Sequence, residues 1–149
     1  MVVVTIIVLL TGIVMSNFGQ AKAKSRDSKR VSDLAQLQLA MELFFDRCNQ
    51  YPIKDNTNPP DNPIPPMPKL DYTCGSGITL GSFISKIPVP PTAGDYTYGV
   101  NDPTTPTDYV LRAKLEVGGS ILADEINGPS VHGVDCENSP NFYYCVVPK

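Results

Sequence analysis

Two adjoining stretches decide the fold: residues 1–15, MVVVTIIVLLTGIVM, and residues 21–52, AKAKSRDSKRVSDLAQLQLAMELFFDRCNQYP. The first carries no charge, and no ionisable side chain occurs before Lys22. Val, Ile and Leu fall on every side of a helix drawn through it, so it suits apolar surroundings all round rather than one core face. An apolar helix of 15 to 18 residues runs roughly 22 to 27 Å, slightly short of the roughly 20 residues that cross a hydrocarbon core. A signal peptide needs a basic start and an Ala-x-Ala-like site, and nothing basic precedes Val2. The expectation is a membrane-resident helix over residues 1–21.

In the second stretch the period changes. Leu34, Leu37, Met41, Phe44 and Cys48 recur at intervals of three and four, which is one face of an amphipathic helix over residues 22–50. Leu39 and Leu43 lie off that stripe and form a second apolar strip that wants a partner. Gly12, Ser16, Asn17 and Gly19 make the helix weakest between its two halves. It should end near Asn49, because the residue before Pro52 favours extended backbone.

Beyond this point the composition turns over. All fifteen prolines of the 149 residues fall between Pro52 and Pro148. Residues 54–68, KDNTNPPDNPIPPMP, hold six of them, which predicts an extended connector within a Pro-rich loop over 51–94. Strands are expected over 95–100, 109–117 and 142–147, with Val110, Arg112, Lys114 and Glu116 alternating against Tyr109, Leu111, Ala113, Leu115 and Val117. Gly118-Gly119, Asn127-Gly128 and Asn101-Asp102-Pro103 are turn signals. The fold class is therefore α+β, a long N-terminal helix packed on a small antiparallel sheet over residues 95–149. Net charge is +2 over residues 1–49 and −5 over 50–149. That division does not indicate nucleic acid as a partner.

The order of these features resembles the type IV pilins and the type II secretion pseudopilins. The likeness is carried by the uncharged helix, the serine-dotted basic stretch Lys24-Ser25-Arg26-Asp27-Ser28-Lys29-Arg30, then Ser32-Asp33-Leu34, Glu42-Leu43-Phe44-Phe45-Asp46 and Asn49-Gln50-Tyr51-Pro52. Residues 96–100, YTYGV, and 108–116, DYVLRAKLE, are similar to central strands of small pilins of the major-pseudopilin type. The resemblance implies a lollipop-shaped subunit polymerising through its helix into an extracellular filament. It also implies a precursor held in the cytoplasmic membrane with its C-terminal domain outside, processed by a prepilin peptidase, methylated, and extended by an assembly ATPase machine. Val3, Ile6, Ile7, Leu9, Leu10, Ile13, Val14, Phe18, Leu39 and Leu43 would then pack identical subunits together. Family members carry a glutamate about five residues in, whereas Thr5 stands here and no acid precedes Asp27. Met1 aligns just after that glutamate, so the mature chain is expected to start roughly five residues upstream. The other reading is a subunit without the glutamate, as in some minor tip pseudopilins.

Lys22, Lys24, Arg26, Lys29 and Arg30 follow the apolar run; taken alone they would place that side in the cytoplasm. They are read as a solvated helix face. Cys48, Cys74, Cys136 and Cys145 show no Cys-x-x-Cys spacing and are read as disulfides, hence an extracytoplasmic head. Of three pairings, Cys48 with Cys74 and Cys136 with Cys145 is preferred. The first ties the helix end to the following loop, and the second is similar to the disulfide-bounded region of many pilins. Loop entropy gives them roughly 3.5 and 2.6 kcal/mol.

No catalytic constellation emerges, and no cofactor is implied. His132 is a lone histidine and Ser130 has no base in a recognisable motif. Asp124, Glu125 and Asp135, with Asn127, offer oxygens to Ca²⁺, but no Asp-x-Asp-x-Asp-Gly loop accompanies them and an ordinary acidic turn is favoured. No Asn-x-Ser/Thr acceptor occurs. The expectation is a non-enzymatic pilin, with a pseudopilin of a secretion or competence system, or a non-polymerising anchored binding domain, as alternatives.

Overall fold

The computed structural model describes residues 2–53, 73–75, 77–91, 96–122 and 126–148, and within them the side chains of all but residues 5 and 8–17. One helix, α1 (Val2–Cys48), takes up 47 residues, or about 70 Å at 1.5 Å per residue. Asn49 ends it in the left-handed conformation, φ 55°. Its N–H closes the last turn by donating to Phe45 O at 2.8 Å, a common helix-terminating geometry for asparagine. Tyr51 N then donates to Pro106 O at 2.8 Å, so the chain leaves the helix already tied to the loop before Tyr109.

The sheet has three antiparallel strands, β3 (Tyr96–Val100), β4 (Tyr109–Leu115) and β5 (Phe142–Val146), with β4 central. Its register aligns Thr97 with Arg112 and Arg112 with Cys145, while the next row aligns Tyr98, Leu111 and Val146. Alternation therefore sends Tyr96, Tyr98, Tyr109, Leu111, Ala113 and Leu115 into one core with Leu34, Leu37 and Met41 of α1. The α+β layout expected from the sequence is present, with β4 ending two residues and β5 one residue earlier than expected.

A two-residue hairpin, β1 (Thr73–Cys74) with β2 (Ile78–Thr79), was not foreseen. It leads into a single 3₁₀ turn at Leu80–Ser82, whose Leu80 is fully buried against Ala40 and Phe44. The 54–68 connector lies outside the described residues.

The far face of the sheet departs from the expected apolar-in, polar-out alternation. Val110 is completely buried there, in a second small core with Val134, Cys136 and Cys145. Residues 131–134 fold over it through a bridge between Val131 and Val134, and they come to rest on Gly99. A Cβ at Gly99 would lie 2.7 Å from Val134 Cγ2 and 2.8 Å from His132 O. Because one of those neighbours is backbone, Gly99→Ala is expected to destabilise the head by about 1–3 kcal/mol. Urea unfolding of the disulfide-intact protein measures this, and an unchanged midpoint would show that the turn is not held against the sheet.

Arg112, on the same face, is likewise not a solvent-facing side chain. It donates to Asp135 O at 3.0 Å and Thr97 Oγ1 at 2.9 Å, and its guanidinium lies 4.3 Å over the Tyr143 ring. The C-terminal loop is what turns this outward position inward.

Candidate functional site

The surface most in need of a partner belongs to α1. Its described hydrogen bonds to the sheet begin only at Arg26, after roughly 35 Å of helix. Along that length Val2, Val3, Val4, Ile6, Ile7 and Phe18 are 51% to 74% exposed. Large apolar side chains held in water at such density disfavour an isolated subunit, since each one buried elsewhere would gain about 1.5–3 kcal/mol. Leu9, Leu10, Ile13 and Val14 belong to the same segment, but their side chains lie outside the described residues. Among the described residues no helix is long and apolar enough to cross a membrane.

Further along, the helix faces two ways. Leu34, Leu37, Met41 and Phe44 are fully buried. Leu39 and Leu43, turned away from the sheet, remain 63% and 42% exposed. One helix thus completes the head with one side and offers a second apolar strip with another.

The angle at which α1 leaves the head is fixed by a polar clamp that sequence reading missed. Asp27 and Arg30 are each 1% exposed, so they are not part of a solvated face. Asp27 accepts the N–H groups of Glu116 and Val117, both at 2.9 Å, capping the backbone where β4 ends. Arg30 Nη1 donates to Asp27 Oδ1 and to Glu116 Oε1, both at 2.8 Å. Arg26 forks onto the same carboxylate, through Nε to Oε1 at 2.7 Å and through Nη2 to Oε2. A signal was present in the spacing: 27, 30, 34, 37, 41 and 44 continue one helical stripe two turns past its apolar members.

Two guanidinium groups on one carboxylate have a measurable consequence. Hydrogen bonds from Arg26 first, then Arg30, hold the Glu116 carboxyl down at about 2, against about 4.3 in an unfolded chain. The folded-state value is the lower one, so the stabilisation is complete above the unfolded value and drains away as pH falls from there through about 2. Urea midpoints between pH 5 and pH 2 should therefore fall more for the wild type than for Glu116→Gln. Parallel profiles would show that the fork does not form.

Nearer the C-terminal end of α1, carboxylates meet tyrosines. Tyr96 Oη donates to Asp33 Oδ2 at 2.7 Å, beside Lys29 Nζ at 3.0 Å. Tyr109 and Tyr51 donate to the two oxygens of Glu42 at 3.1 and 3.2 Å. Tyr98 donates to Pro52 O at 2.7 Å. Burial, and for Tyr51 and Tyr109 also the Glu42 charge, pushes the Tyr51, Tyr98 and Tyr109 phenols far up, so these three stay neutral donors. These bonds let polar atoms face the sheet without leaving it unsatisfied.

The other positions singled out by sequence are structural or lie elsewhere. Cys48 is bonded to Cys74 and Cys136 to Cys145, with Cα separations of 5.7 and 5.9 Å. That is the preferred pairing. His132 Nε2 lies 2.8 Å from Asp108 Oδ2, joining the 131–134 turn to the start of β4. Asp124 and Glu125 lie outside the described residues. Asp135 is exposed and accepts its own loop's Glu137 N–H at 2.9 Å. Among the described residues no group of three or more His, Cys, Asp or Glu could hold a metal ion. What the geometry provides is a disulfide-bonded head, a clamp, and a helix whose described apolar side chains ahead of the clamp are uncovered. Compared with known proteins, the chain matches no family model, no curated protein and no solved structure.

Proposed function

We propose that this chain is a structural subunit of an extracellular type IV pilus-like filament, polymerising through its N-terminal helix with identical copies. The observation that carries the reading is the single continuous helix, which buries one face of its C-terminal half in the head and leaves the described apolar side chains Val2, Val3, Val4, Ile6, Ile7 and Phe18 of its N-terminal half exposed. A segment of that kind needs an apolar environment, and two are compatible with its all-round hydrophobicity. Lipid would cover it in a precursor anchored in the cytoplasmic membrane with the head outside. Equivalent helices of other copies would cover it in a filament core, so the same side chains serve both states. The two disulfides support an extracytoplasmic head. Processing by a prepilin peptidase and extraction by an assembly ATPase belong to the same proposal, on the resemblance of residues 1–52.

The test is the non-reduced intact mass of the protein in fibres sheared from intact cells and pelleted. Expected is abundant protein in the pellet, four hydrogens lighter than its reduced form. Retention in the membrane with none in the pellet would overturn the filament and favour a short pseudopilin or a monomeric anchor.

A further inference from the structure

We propose that Lys22 and Lys24 form a collar that seats α1 in a layer of anionic phospholipid headgroups before assembly. This rests on the membrane-held precursor in the proposed function. Five basic residues lie between positions 22 and 30, and three of them are paired where α1 meets the head. Arg26 and Arg30 are taken up by Glu116 and Asp27. Lys29 bonds Asp33 at 3.0 Å and Val89 O at 3.1 Å. Lys22 and Lys24 are exposed, and among the described residues neither pairs with a carboxylate. They are the uncompensated cations at the border between the apolar segment and the head.

Their placement on the helix selects the partner. Residues two apart are separated by roughly 200° around the axis and roughly 3 Å along it. The two lysines therefore point to opposite sides at nearly one height and do not converge on a single phosphate ion or one acidic peptide. They do suit anions distributed around an upright helix in a plane, which is the arrangement of a bilayer surface. Phe18, one turn earlier and on the side of Lys22, is 54% exposed. It supplies apolar contact just below the charged level, with the lysine stems lying along the helix to reach the surface.

The experiment mixes full-length protein, diluted out of detergent, with two vesicle populations in competition. One is phosphatidylcholine; the other contains about one third phosphatidylglycerol, and flotation reads the protein on each. Each lysine near an anionic surface is worth about fivefold in partition. The wild type should thus favour the anionic vesicles about twenty-five-fold more than Lys22→Gln/Lys24→Gln does, and the preference should collapse in concentrated salt. The Lys22→Arg/Lys24→Arg variant should keep it, and Lys86→Gln, an exposed lysine of the head, should leave it unchanged. Equal wild-type binding to both vesicles, or a preference surviving the double glutamine change, overturns the collar and leaves the membrane reading standing. Wild-type protein on neither vesicle overturns the membrane reading itself. A lost fibre yield with unchanged vesicle preference would assign the lysines to acidic surfaces of a second copy, against the proposal.

Discussion

Replacing Leu39 and Leu43 together by Asp is expected to abolish sheared fibres while leaving the head folded. Both side chains point away from the sheet, Leu39 63% and Leu43 42% exposed in the subunit. Their removal therefore opens no cavity, and head stability should move by no more than about 0.5 kcal/mol per site, beyond a few tenths for the poorer helix propensity of Asp. In a filament the same positions would be covered. Each substitution would then forfeit about 2 kcal/mol of apolar burial and place a carboxylate in a dry interface. A polymer multiplies that loss, because each subunit carries the defect into every contact it makes. The measurement pairs the fibre content of sheared pellets with the urea midpoint of the purified variant. Normal fibres would remove Leu39 and Leu43 from the interface, and an unfolded head would show that the strip belongs to the subunit's own core.

The second large effect is expected at the clamp. Asp27→Ala deletes the acceptor of two backbone N–H groups and one of the carboxylates paired with buried Arg30. Breaking a buried ion pair from one side typically costs about 3–5 kcal/mol, since the remaining charge is left in a low-dielectric site. Arg26→Ala should cost much less than Asp27→Ala, because that guanidinium is 41% exposed and its ion pair is solvent-screened. The double variant Asp27→Ala/Arg30→Met should recover part of the Asp27 loss by removing a buried charge that Glu116, already shared with Arg26, no longer balances, a coupling that a double-mutant cycle reads directly. Additive losses would mean that Asp27 and Arg30 act independently. In the proposed filament this clamp would have a further role, because it would hold the apolar half of α1 at one angle to the head.

Most of the helix and the sheet could be read from the chain because each rests on a local rule. Pro52 and Asn49 stop the helix. Leu34, Leu37, Met41 and Phe44 mark the buried face. Period-two alternation in β4 separates its two sides. What could not be read depends on partners distant in sequence. Arg26, Asp27 and Arg30 looked like part of a basic solvated stretch, and only Glu116, some ninety positions away, makes them a clamp. Val110 and Arg112 occupy outward positions, and only the 131–136 segment covering them turns those positions inward. The β1–β2 hairpin has two residues per strand, too few for any period to show. The exposed strip of Leu39 and Leu43 was legible for the opposite reason: it is defined by what the helix does not bury.

The measurement closest to the central claim is a helical reconstruction of fibres sheared from cells, at a resolution that traces the chain. If α1 drives assembly, residues 2–21 of many copies will lie together along the fibre axis, with Leu39 and Leu43 against neighbouring subunits and the disulfide-bonded heads outside. A fibre joined through its heads, with the apolar helix absent from the axis, would contradict it.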